Sequence, residues 1–297
     1  MKHREFNWIT EDGAGIYGQM WQPEDEIKGV VCLIHGLGEH CSRYKLLPRK
    51  LTDEGFALIA FDQYGHGRSE GKRGHAPSYE AMLGNIARLI EQAALHFPDK
   101  DMFLYGHSMG GNLVINYALR YKSDIKGVIA TGPWLKLTKP PKPRLVSLVK
   151  WLDKYWPSLR IWNGIRPAKL SHKKKDAADK GEKREKDPFI HPWISIHTFL
   201  GVHEAGDYAL RHARDFSYPI LILHGGEDHI TSAQSSREFA AENGENCTLK
   251  IFPGLYHEIH NEPHSDEIFS TIVEWLNSRI QTGNRITRLG RKNFALD

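Results

Sequence analysis

The stretch Met102-Phe103-Leu104-Tyr105-Gly106-His107-Ser108-Met109-Gly110-Gly111 decides the fold of this chain. Its first half is apolar and bounded by turn residues, as a buried strand is, and an apolar helical pattern follows over 112–121. Between them lies the pattern Gly-x-Ser-x-Gly, which places a serine at the tip of a sharp turn from strand to helix. We therefore predict that Ser108 is a nucleophile at the edge of a parallel sheet. The alternative is a tight turn that happens to contain a serine.

Strand and helix patterns alternate on both sides of this stretch. A predicted hairpin over 6–23, with Asp12-Gly13 at its turn, precedes them. This alternation predicts an α/β fold with a mostly parallel central sheet and helices on both faces. The further predicted strands are 28–35, 57–62, 125–131, 219–224 and 248–252, and the further predicted helices are 42–54, 79–97, 194–211, 232–242 and 266–280.

The composition indicates one large globular domain, or one domain with an insertion. Hydrophobic residues make up 40% of the 297 residues and charged residues 26%. No apolar run approaches the ~18 residues of a membrane span, and the N-terminus lacks the apolar segment of a secretory signal. The three scattered cysteines, Cys32, Cys41 and Cys247, predict free thiols in a reducing compartment. We therefore expect a cytoplasmic protein.

The alternation breaks after Trp134. The run Lys139-Pro140-Pro141-Lys142-Pro143 cannot form a regular element, because proline fixes φ and lacks an amide donor. Residues 139–193 show no strand-like run, and their apolar residues fall at helical spacing. We predict an inserted, mainly helical cap over 139–193, between core segments 1–138 and 194–283, and a C-terminal tail over 284–297.

The positive charge of the chain is concentrated in this insertion. Residues 139–187 hold 15 Lys/Arg and 6 Asp/Glu, a net charge of +9, whereas the remaining residues hold 25 and 30, a net charge of −5. A local basic face explains this distribution better than a nucleic-acid-binding protein does. We therefore expect no nucleic-acid partner.

A serine nucleophile needs a base, and the base needs an orienting acid. Asp228 and His257 each follow a predicted strand, in the chain order Ser, Asp, His. The carboxyl ends of parallel strands share one edge of the sheet, so we expect these side chains to meet Ser108 there. The alternatives are Glu227 and Asp215 for the acid, and His260 and His264 for the base.

An oxyanion formed at the serine needs two backbone N–H donors. Met109, which follows the nucleophile, is the first predicted donor, and Leu37 in the loop His35-Gly36-Leu37-Gly38 is the second. We expect neither a metal nor another cofactor. The run His257-Glu258-Ile259-His260 has its histidines at i and i+3, whereas the zinc-protease motif needs i and i+4. His224-Gly225-Gly226 lacks the spacing of a phosphate-binding loop.

Taken together, these residues give the chain a resemblance to the monoacylglycerol lipase and lysophospholipase family of α/β-hydrolases. Members of that family are serine aminopeptidase-like hydrolases. The resemblance runs from about residue 28 to residue 280. The matching motifs are His35-Gly36-Leu37-Gly38-Glu39-His40 with Arg43-Tyr44, Asp62-Gln63-Tyr64-Gly65-His66-Gly67-Arg68-Ser69, Gly106-His107-Ser108-Met109-Gly110-Gly111, His224-Gly225-Gly226-Glu227-Asp228 and Tyr256-His257-Glu258.

The resemblance implies an α/β-hydrolase fold and a serine hydrolase that cleaves esters of single-chain lipids, with monoacylglycerol as the expected substrate. Ser108, Asp228 and His257 would form the catalytic triad, and Leu37 and Met109 the oxyanion hole. The resemblance also implies a cap that shapes an acyl tunnel. We interpret Glu39 and Arg43 as residues that fix the loop around His35-Gly36-Leu37-Gly38. The alternatives are a lysophospholipase, a short-chain carboxylesterase or amidase, and a non-catalytic ligand-binding protein.

The insertion also carries an amphipathic pattern. Arg144, Lys150 and Lys154 lie off an apolar stripe, and a helix with one apolar and one basic face can lie on an anionic membrane. Two interpretations stay open: the stripe packs over the pocket, or the cap also adsorbs peripherally to membrane. The stripe consists of Leu145, Leu148, Val149, Leu152, Trp156 and Leu159.

Overall fold

The computed structural model describes residues 1–179, 187–263 and 265–280, which are built around one sheet. The described strands of this sheet follow the order β1-β2-β4-β3-β5-β6-β9-β10. β2 is antiparallel to both β1 and β4, and every other pair is parallel. The strands are β1 Lys2–Ile9, β2 Gly15–Gln22, β3 Gly29–Ile34, β4 Phe56–Phe61, β5 Asp101–His107, β6 Gly127–Thr131, β7 Arg160–Trp162, β8 Trp193–Ser195, β9 Ile220–Gly225 and β10 Cys247–Phe252.

Helices cover both faces of the sheet. In β3, Val30, Cys32 and Ile34 point into a core that α2, α3, α6 and α7 cover, while Val31 and Leu33 point into a core that α1 and α8 cover. A strand buried on both faces is apolar throughout, which is why β3 has no alternation of polar and apolar residues. The helices are α1 Leu46–Asp53, α2 Tyr79–His96, α3 Met109–Arg120, α4 Pro143–Asp153, α5 His172–Asp179, α6 Ile196–Arg211, α7 Ala233–Asn243 and α8 Asp266–Asn277.

This architecture confirms the predicted α/β fold and its mostly parallel sheet. Several helix boundaries differ from the prediction, those of α1 and α6 among them. The helix predicted over 42–54 is a 3₁₀ turn at Cys41–Arg43 followed by α1. The helix predicted from 194 begins at Ile196, because the side chain of Ser195 caps it by accepting a hydrogen bond from the Thr198 amide.

The region predicted as the cap contains α4, α5 and a short antiparallel ribbon. The prediction that it holds no strand is wrong, because Arg160–Trp162 pairs with Trp193–Ser195. Three-residue strands are too short for their periodicity to be recognised in the sequence. The boundaries 139–193 stay a prediction, and the tail predicted over 284–297 lies outside the described residues.

The apolar stripe of α4 and the segment after it does not pack over the pocket as a whole. The exposed fractions of Leu148 and Trp156 are 51% and 57%, and Leu145 and Leu159 are also exposed, whereas Val149 and Leu152 are half-buried. The packing interpretation is therefore wrong for four of its six residues. We call the large exposed hydrophobic residues of this region the apolar cap face: Leu145, Leu148, Trp151, Tyr155, Trp156, Leu159, Ile161, Trp162 and Trp193.

Cys32, Cys41 and Cys247 are all free thiols. Within the described ranges, no helix combines the length and hydropathy needed to cross a membrane.

Candidate active site

Ser108 lies at the strained turn between β5 and α3. Its φ of 56° and ψ of −114° are conformations that residues with a Cβ rarely adopt. The turn is held because the Ser108 amide donates to the Thr131 carbonyl at 2.9 Å. A Cβ on Gly106 would lie 2.2 Å from the Gly110 carbonyl oxygen, and one on Gly110 would lie 2.0 Å from that of Ile34. The crossing of backbones at this turn therefore requires glycine at both positions.

His257 and Asp228 stand beside this serine. His257 Nε2 lies 2.9 Å from Ser108 Oγ, and His257 Nδ1 lies 2.6 Å from Asp228 Oδ2. Asp228 follows β9, and His257 follows β10, so both reach the carboxyl edge of the sheet where β5 ends. The structure thus brings the three residues together in the order acid, imidazole, hydroxyl.

Asp228 is held in place by its own loop. The amides of Ile230 and Thr231 donate to Oδ1 at 2.7 and 3.0 Å, and the Thr231 hydroxyl donates to Oδ2 at 2.8 Å. Burial alone would raise the pKa of this carboxyl, but the attraction of His257 and the hydrogen bonds of His224 and His257 hold it well below its usual range. Asp228 is therefore an anion that faces the imidazole.

This anion changes the protonation of His257. Burial disfavours the imidazolium, yet the charge of Asp228 and its hydrogen bond outweigh that effect and raise the pKa of His257 above its ordinary value. The nearby carboxylates of Glu258 and Glu39 act in the same direction. An imidazole oriented in this way can accept a proton from Ser108 and then hold it as an ion pair.

The rival residues are placed elsewhere. Glu227 and Asp215 are both exposed, and neither reaches His257. His260 is buried and stacks on Tyr44 with ring centroids 4.8 Å apart, and neither of its ring nitrogens has a hydrogen-bond partner among the described residues. His264, the other alternative base, lies outside the described residues.

The loop after β3 runs beside the nucleophile. A Cβ on Gly36 would lie 3.2 Å from Ser108 Cβ, and the loop is pinned because the Gly36 amide donates to Glu39 Oε1 at 2.7 Å. The amides of Leu37 and Met109, the two predicted oxyanion donors, have no acceptor in the part of the chain that is described. Leu37 lines the same cavity as Ser108, and Met109 directly follows Ser108 at the first position of α3.

A buried cluster of charges adjoins the loop. Arg43 lies between two carboxylates, 2.7 Å from Glu39 Oε2 and 3.1 Å from Glu258 Oε2. Lys174 from α5 completes it with Nζ 2.5 Å from Glu258 Oε2. Sequence reasoning anticipated the roles of Glu39 and Arg43 as loop-fixing residues but missed Glu258 and Lys174. No spacing in the sequence distinguishes Lys174 from the lysines on either side of it.

A cavity of about 600 Å³ opens over Ser108 and His257. No group of three or more His, Cys, Asp or Glu side chains in the described ranges is arranged to hold a metal ion. The apolar wall of the cavity comes from the loop after β3, the segment after β6, the cap with β8, α6 and the loop after β9: Leu37, Trp134, Leu137, Ile161, Trp162, Ile165, Leu170, Ile190, Ile194, Phe199 and Ile230.

Comparison with known proteins shows which family this chain resembles. The model of the family described as serine aminopeptidase, S33, matches residues 25–264. A monoacylglycerol lipase of Mycolicibacterium smegmatis is 30% identical over 281 residues, which cover 93% of this chain and 98% of that lipase. The crystal structure of Paleococcus ferrophilus monoacylglycerol lipase superimposes with a TM-score of 0.79 at 36% identity, and the match covers 89% of this chain and 99% of that one.

An uncharacterised abhydrolase domain-containing protein of Dictyostelium discoideum is 34% identical over 278 residues. The match takes in 93% of this chain and spans 29% of the length of that relative. These findings confirm the family resemblance inferred from the motifs. The chain therefore belongs to the serine aminopeptidase S33 family, among the monoacylglycerol lipase-like α/β-hydrolases, and is a serine ester hydrolase.

Proposed function

We propose that this ester hydrolase cleaves single-chain lipid esters, and that monoacylglycerol is its leading substrate. The observation that carries the proposal is the hydrogen-bonded series Asp228, His257 and Ser108, with the serine opening into a largely apolar cavity of about 600 Å³. The similarity to proteins named monoacylglycerol lipase supports the same substrate class. No cofactor takes part in this chemistry.

In the proposed reaction, Ser108 Oγ attacks the ester carbonyl while His257 Nε2 accepts its proton. Asp228 holds Nδ1–H and stabilises the imidazolium that forms. His257 then gives the proton to the glycerol oxygen, which leaves an acyl group on Ser108. Finally, the same imidazole accepts a proton from a water molecule whose oxygen attacks the acyl carbon. The bond from that carbon to Ser108 Oγ then breaks, and His257 returns the proton to Oγ, which releases the fatty acid and restores the serine.

The backbone amides of Leu37 and Met109 would stabilise the negative oxygen of each tetrahedral intermediate. Both amides are free of other acceptors in the described chain, and Met109 also begins α3, whose dipole favours negative charge. Because the donors are backbone groups, conservative changes of the Leu37 side chain should affect turnover less than shortening of the loop.

The cavity walls favour a substrate with one acyl chain. Burial of a methylene group contributes about 0.8 kcal/mol, so a chain of a dozen carbons gains far more in this cavity than a short acyl group does. The residues that would contact the chain include Ile161, Ile165, Ile194 and Phe199.

A hydrolysis panel tests the proposal, with Ser108→Ala as the control for the nucleophile. It would compare monoacylglycerols of several chain lengths, a lysophospholipid, short p-nitrophenyl esters and an aminoacyl anilide. We expect the highest kcat/KM for a long-chain monoacylglycerol and loss of all turnover in Ser108→Ala. Preference for short esters or the anilide would contradict the lipid substrate, and turnover of none would instead favour the non-catalytic alternative.

A second candidate substrate is a lysophospholipid. Lys139, Arg166 and Lys169 line the cavity, and none of them pairs with a carboxylate in the described ranges. Cations that line the cavity favour a phosphate group on the leaving alcohol. Exposed charge pairs contribute about 0.2–1 kcal/mol each, so Lys169→Glu should lower kcat/KM for lysophosphatidic acid up to about fivefold without affecting monoacylglycerol. Equal effects on both substrates would count against this candidate.

We also propose peripheral contact of the cap with anionic membranes. The apolar cap face consists of nine large side chains with exposed fractions of at least 40%. Single exposed apolar residues are ordinary on protein surfaces, whereas a group of this size indicates an interaction site. Arg144, Lys150 and Lys154 lie exposed on or beside the same helix. Ile161 and Trp162 belong both to this face and to the cavity wall, so a lipid could pass from the membrane to Ser108.

Co-sedimentation with phosphatidylglycerol vesicles at low salt tests this contact. The double variant Leu148→Ser, Trp156→Ser should lose most of the bound fraction. Leu95→Ser is a matched control, because Leu95 is 73% exposed on α2 outside the cap. Wild-type protein that stays in the supernatant, or a control that loses as much binding as the double variant, would refute the contact.

A further inference from the structure

The chain around α5 is attached to the loop that carries the catalytic base. The Glu258 amide donates to the Leu170 carbonyl at 2.7 Å, and Lys174 Nζ donates to Glu258 Oε2 at 2.5 Å. Glu258 directly follows His257, so both contacts act on the residue next to the imidazole.

A second set of contacts joins the same two segments. The His172 amide donates to Glu262 Oε2 at 3.0 Å, and the His172 ring stacks on Tyr256 with centroids 4.1 Å apart. The Tyr256 amide in turn donates to Glu262 Oε1 at 3.1 Å. Tyr256 precedes His257, so the base is flanked on both sides by residues bound to this segment. We call the contacts of Leu170, His172 and Lys174 with Tyr256, Glu258 and Glu262 the cap latch.

The ion pair of the latch lies largely out of solvent. The side chain of Glu258 is 4% exposed and that of Lys174 is 17% exposed. Arg43 reaches the same carboxylate, as does Asn261 Nδ2 at 2.9 Å. Loss of Lys174 would leave the buried Glu258 carboxylate with less compensating positive charge, which changes the electrostatic potential around it.

We propose that Lys174 is a positioning residue for the proposed hydrolysis. By pairing with Glu258, it fixes the loop of His257 and reduces the negative electrostatic potential at the imidazole. The contacts of α5 thereby hold His257 in the position and protonation state that the proton transfer needs. This inference rests on the proposed function. It assigns to the cap a role in the proton transfer itself, in addition to shaping the cavity.

The charges around Glu258 act on the pKa of His257 in one direction. The carboxylate of Glu258 raises the pKa of His257, because it stabilises the imidazolium. Lys174 and Arg43 both lower the pKa of Glu258 and compensate its charge. Without Lys174, more of that charge acts on His257, which then holds its proton to higher pH and cannot accept one from Ser108.

The other groups that face His257 come from the core. Asp228 and Thr231 approach Nδ1 from the loop after β9, and Ser108 approaches Nε2 from the end of β5. The ring of His107 lies 4.8 Å away, and burial lowers its pKa to about 3, so it stays neutral at working pH. Glu39 acts from the loop after β3. Lys174 does not belong to this set, because it acts on His257 through its pairing with Glu258.

The test is the pH dependence of kcat/KM on a soluble p-nitrophenyl ester, measured for the full chain. Lys174→Met should move the acid limb of the profile to higher pH by about 0.5 unit or more, and Lys174→Arg should restore it. Lys175→Met is the matched control, because Lys175 is an exposed neighbour on α5 with the same charge. It should leave the acid limb in place.

A double-mutant cycle separates this role from general stabilisation. In Glu258→Gln, Lys174 loses the carboxylate that holds it, so adding Lys174→Met should move the limb far less than it does in the wild type. The inference is overturned if Lys174→Met gives the same pH profile as Lys175→Met, or if it lowers kcat/KM without moving the acid limb. It is also overturned if Lys174→Met moves the acid limb as far in the Glu258→Gln background as in the wild type.

An NMR titration keeps the two proposals distinguishable. In Ser108→Ala, the imidazole of His257 can be followed without turnover, with His257→Gln identifying its resonance. Its pKa should rise on adding Lys174→Met and stay unchanged on adding Lys175→Met. Wild-type protein that cleaves no ester would refute the proposed function, whereas an active enzyme with an unmoved His257 titration would refute only the role of Lys174.

Discussion

Asp228→Asn tests the proposed catalytic series most directly. The substitution keeps the shape of the side chain and the Oδ1 acceptor for the amides of Ile230 and Thr231. It replaces Oδ2, which lies 2.6 Å from His257 Nδ1, with an atom of an amide group. An NH2 group there would face the N–H of the imidazole, so the ring would change tautomer and place its proton on Nε2, opposite Ser108.

The expected loss follows from that geometry. An imidazole that carries its proton on Nε2 cannot accept one from Ser108 Oγ at 2.9 Å. The equivalent change in other Ser–His–Asp hydrolases lowers kcat by about 10⁴-fold, which corresponds to about 5 kcal/mol of activation free energy. The free energy of unfolding should fall by about 1–3 kcal/mol, since a buried carboxylate that accepts several hydrogen bonds is lost.

The assay is kcat/KM on a p-nitrophenyl ester together with urea unfolding of the same preparations. Glu227→Gln is the matched control, because Glu227 is the adjacent acid but is exposed. We expect the control to stay within about twofold of wild type, as surface substitutions do. Activity of Asp228→Asn within tenfold of wild type, or a loss of similar size in Glu227→Gln, would refute the reasoning.

Three further predictions concern the base, the turn and the loop. First, kcat/KM should fall as pH drops through the raised pKa of His257. The acid limb should show a single ionisation, because burial lowers the pKa of the neighbouring His260 to about 3. A measured acid limb well below pH 6.5 would contradict this prediction. Second, Gly110→Ala should lower the free energy of unfolding, measured in urea, by about 3 kcal/mol or more, because the added Cβ would lie 2.0 Å from a carbonyl oxygen. The control is Gly84→Ala on α2, which has open space around the added Cβ and should be neutral or stabilising. Third, Glu39→Gln should lower kcat more than it raises KM in an ester assay. The substitution weakens the acceptor of the Gly36 amide and leaves Arg43 with one carboxylate, which loosens the loop after β3. An unchanged kcat would contradict a role of this loop in turnover.

The sequence was sufficient for the architecture of the core. Buried strands such as β3 and β9 are continuous apolar runs bounded by turn residues, and helices such as α2 have a clear apolar period, so local pattern and tertiary environment agree. The candidate site residues could be named from the same pattern. Ser108, Asp228 and His257 each follow a strand, and parallel strands bring their carboxyl ends to one edge.

Sequence reasoning was weakest in the cap. The ribbon of β7 and β8 joins three residues to three others more than thirty positions away, and segments so short have no periodicity of their own. The stripe of α4 was recognisable as apolar, but a helical period identifies a face without identifying what covers it. That Leu148 and Trp156 are exposed is decided by where the helix lies on the core.

The sequence by itself therefore determined the alternating fold and the strained turn at Ser108, and it named Asp228 and His257 as candidate partners, because these depend on spacing along the chain. The tertiary structure alone decided that Asp228 and not Glu227 faces His257, and that one lysine among three consecutive lysines reaches Glu258. Such pairings depend on distances between segments far apart in the chain, and local hydrophobic pattern and backbone propensity contain no information about those distances.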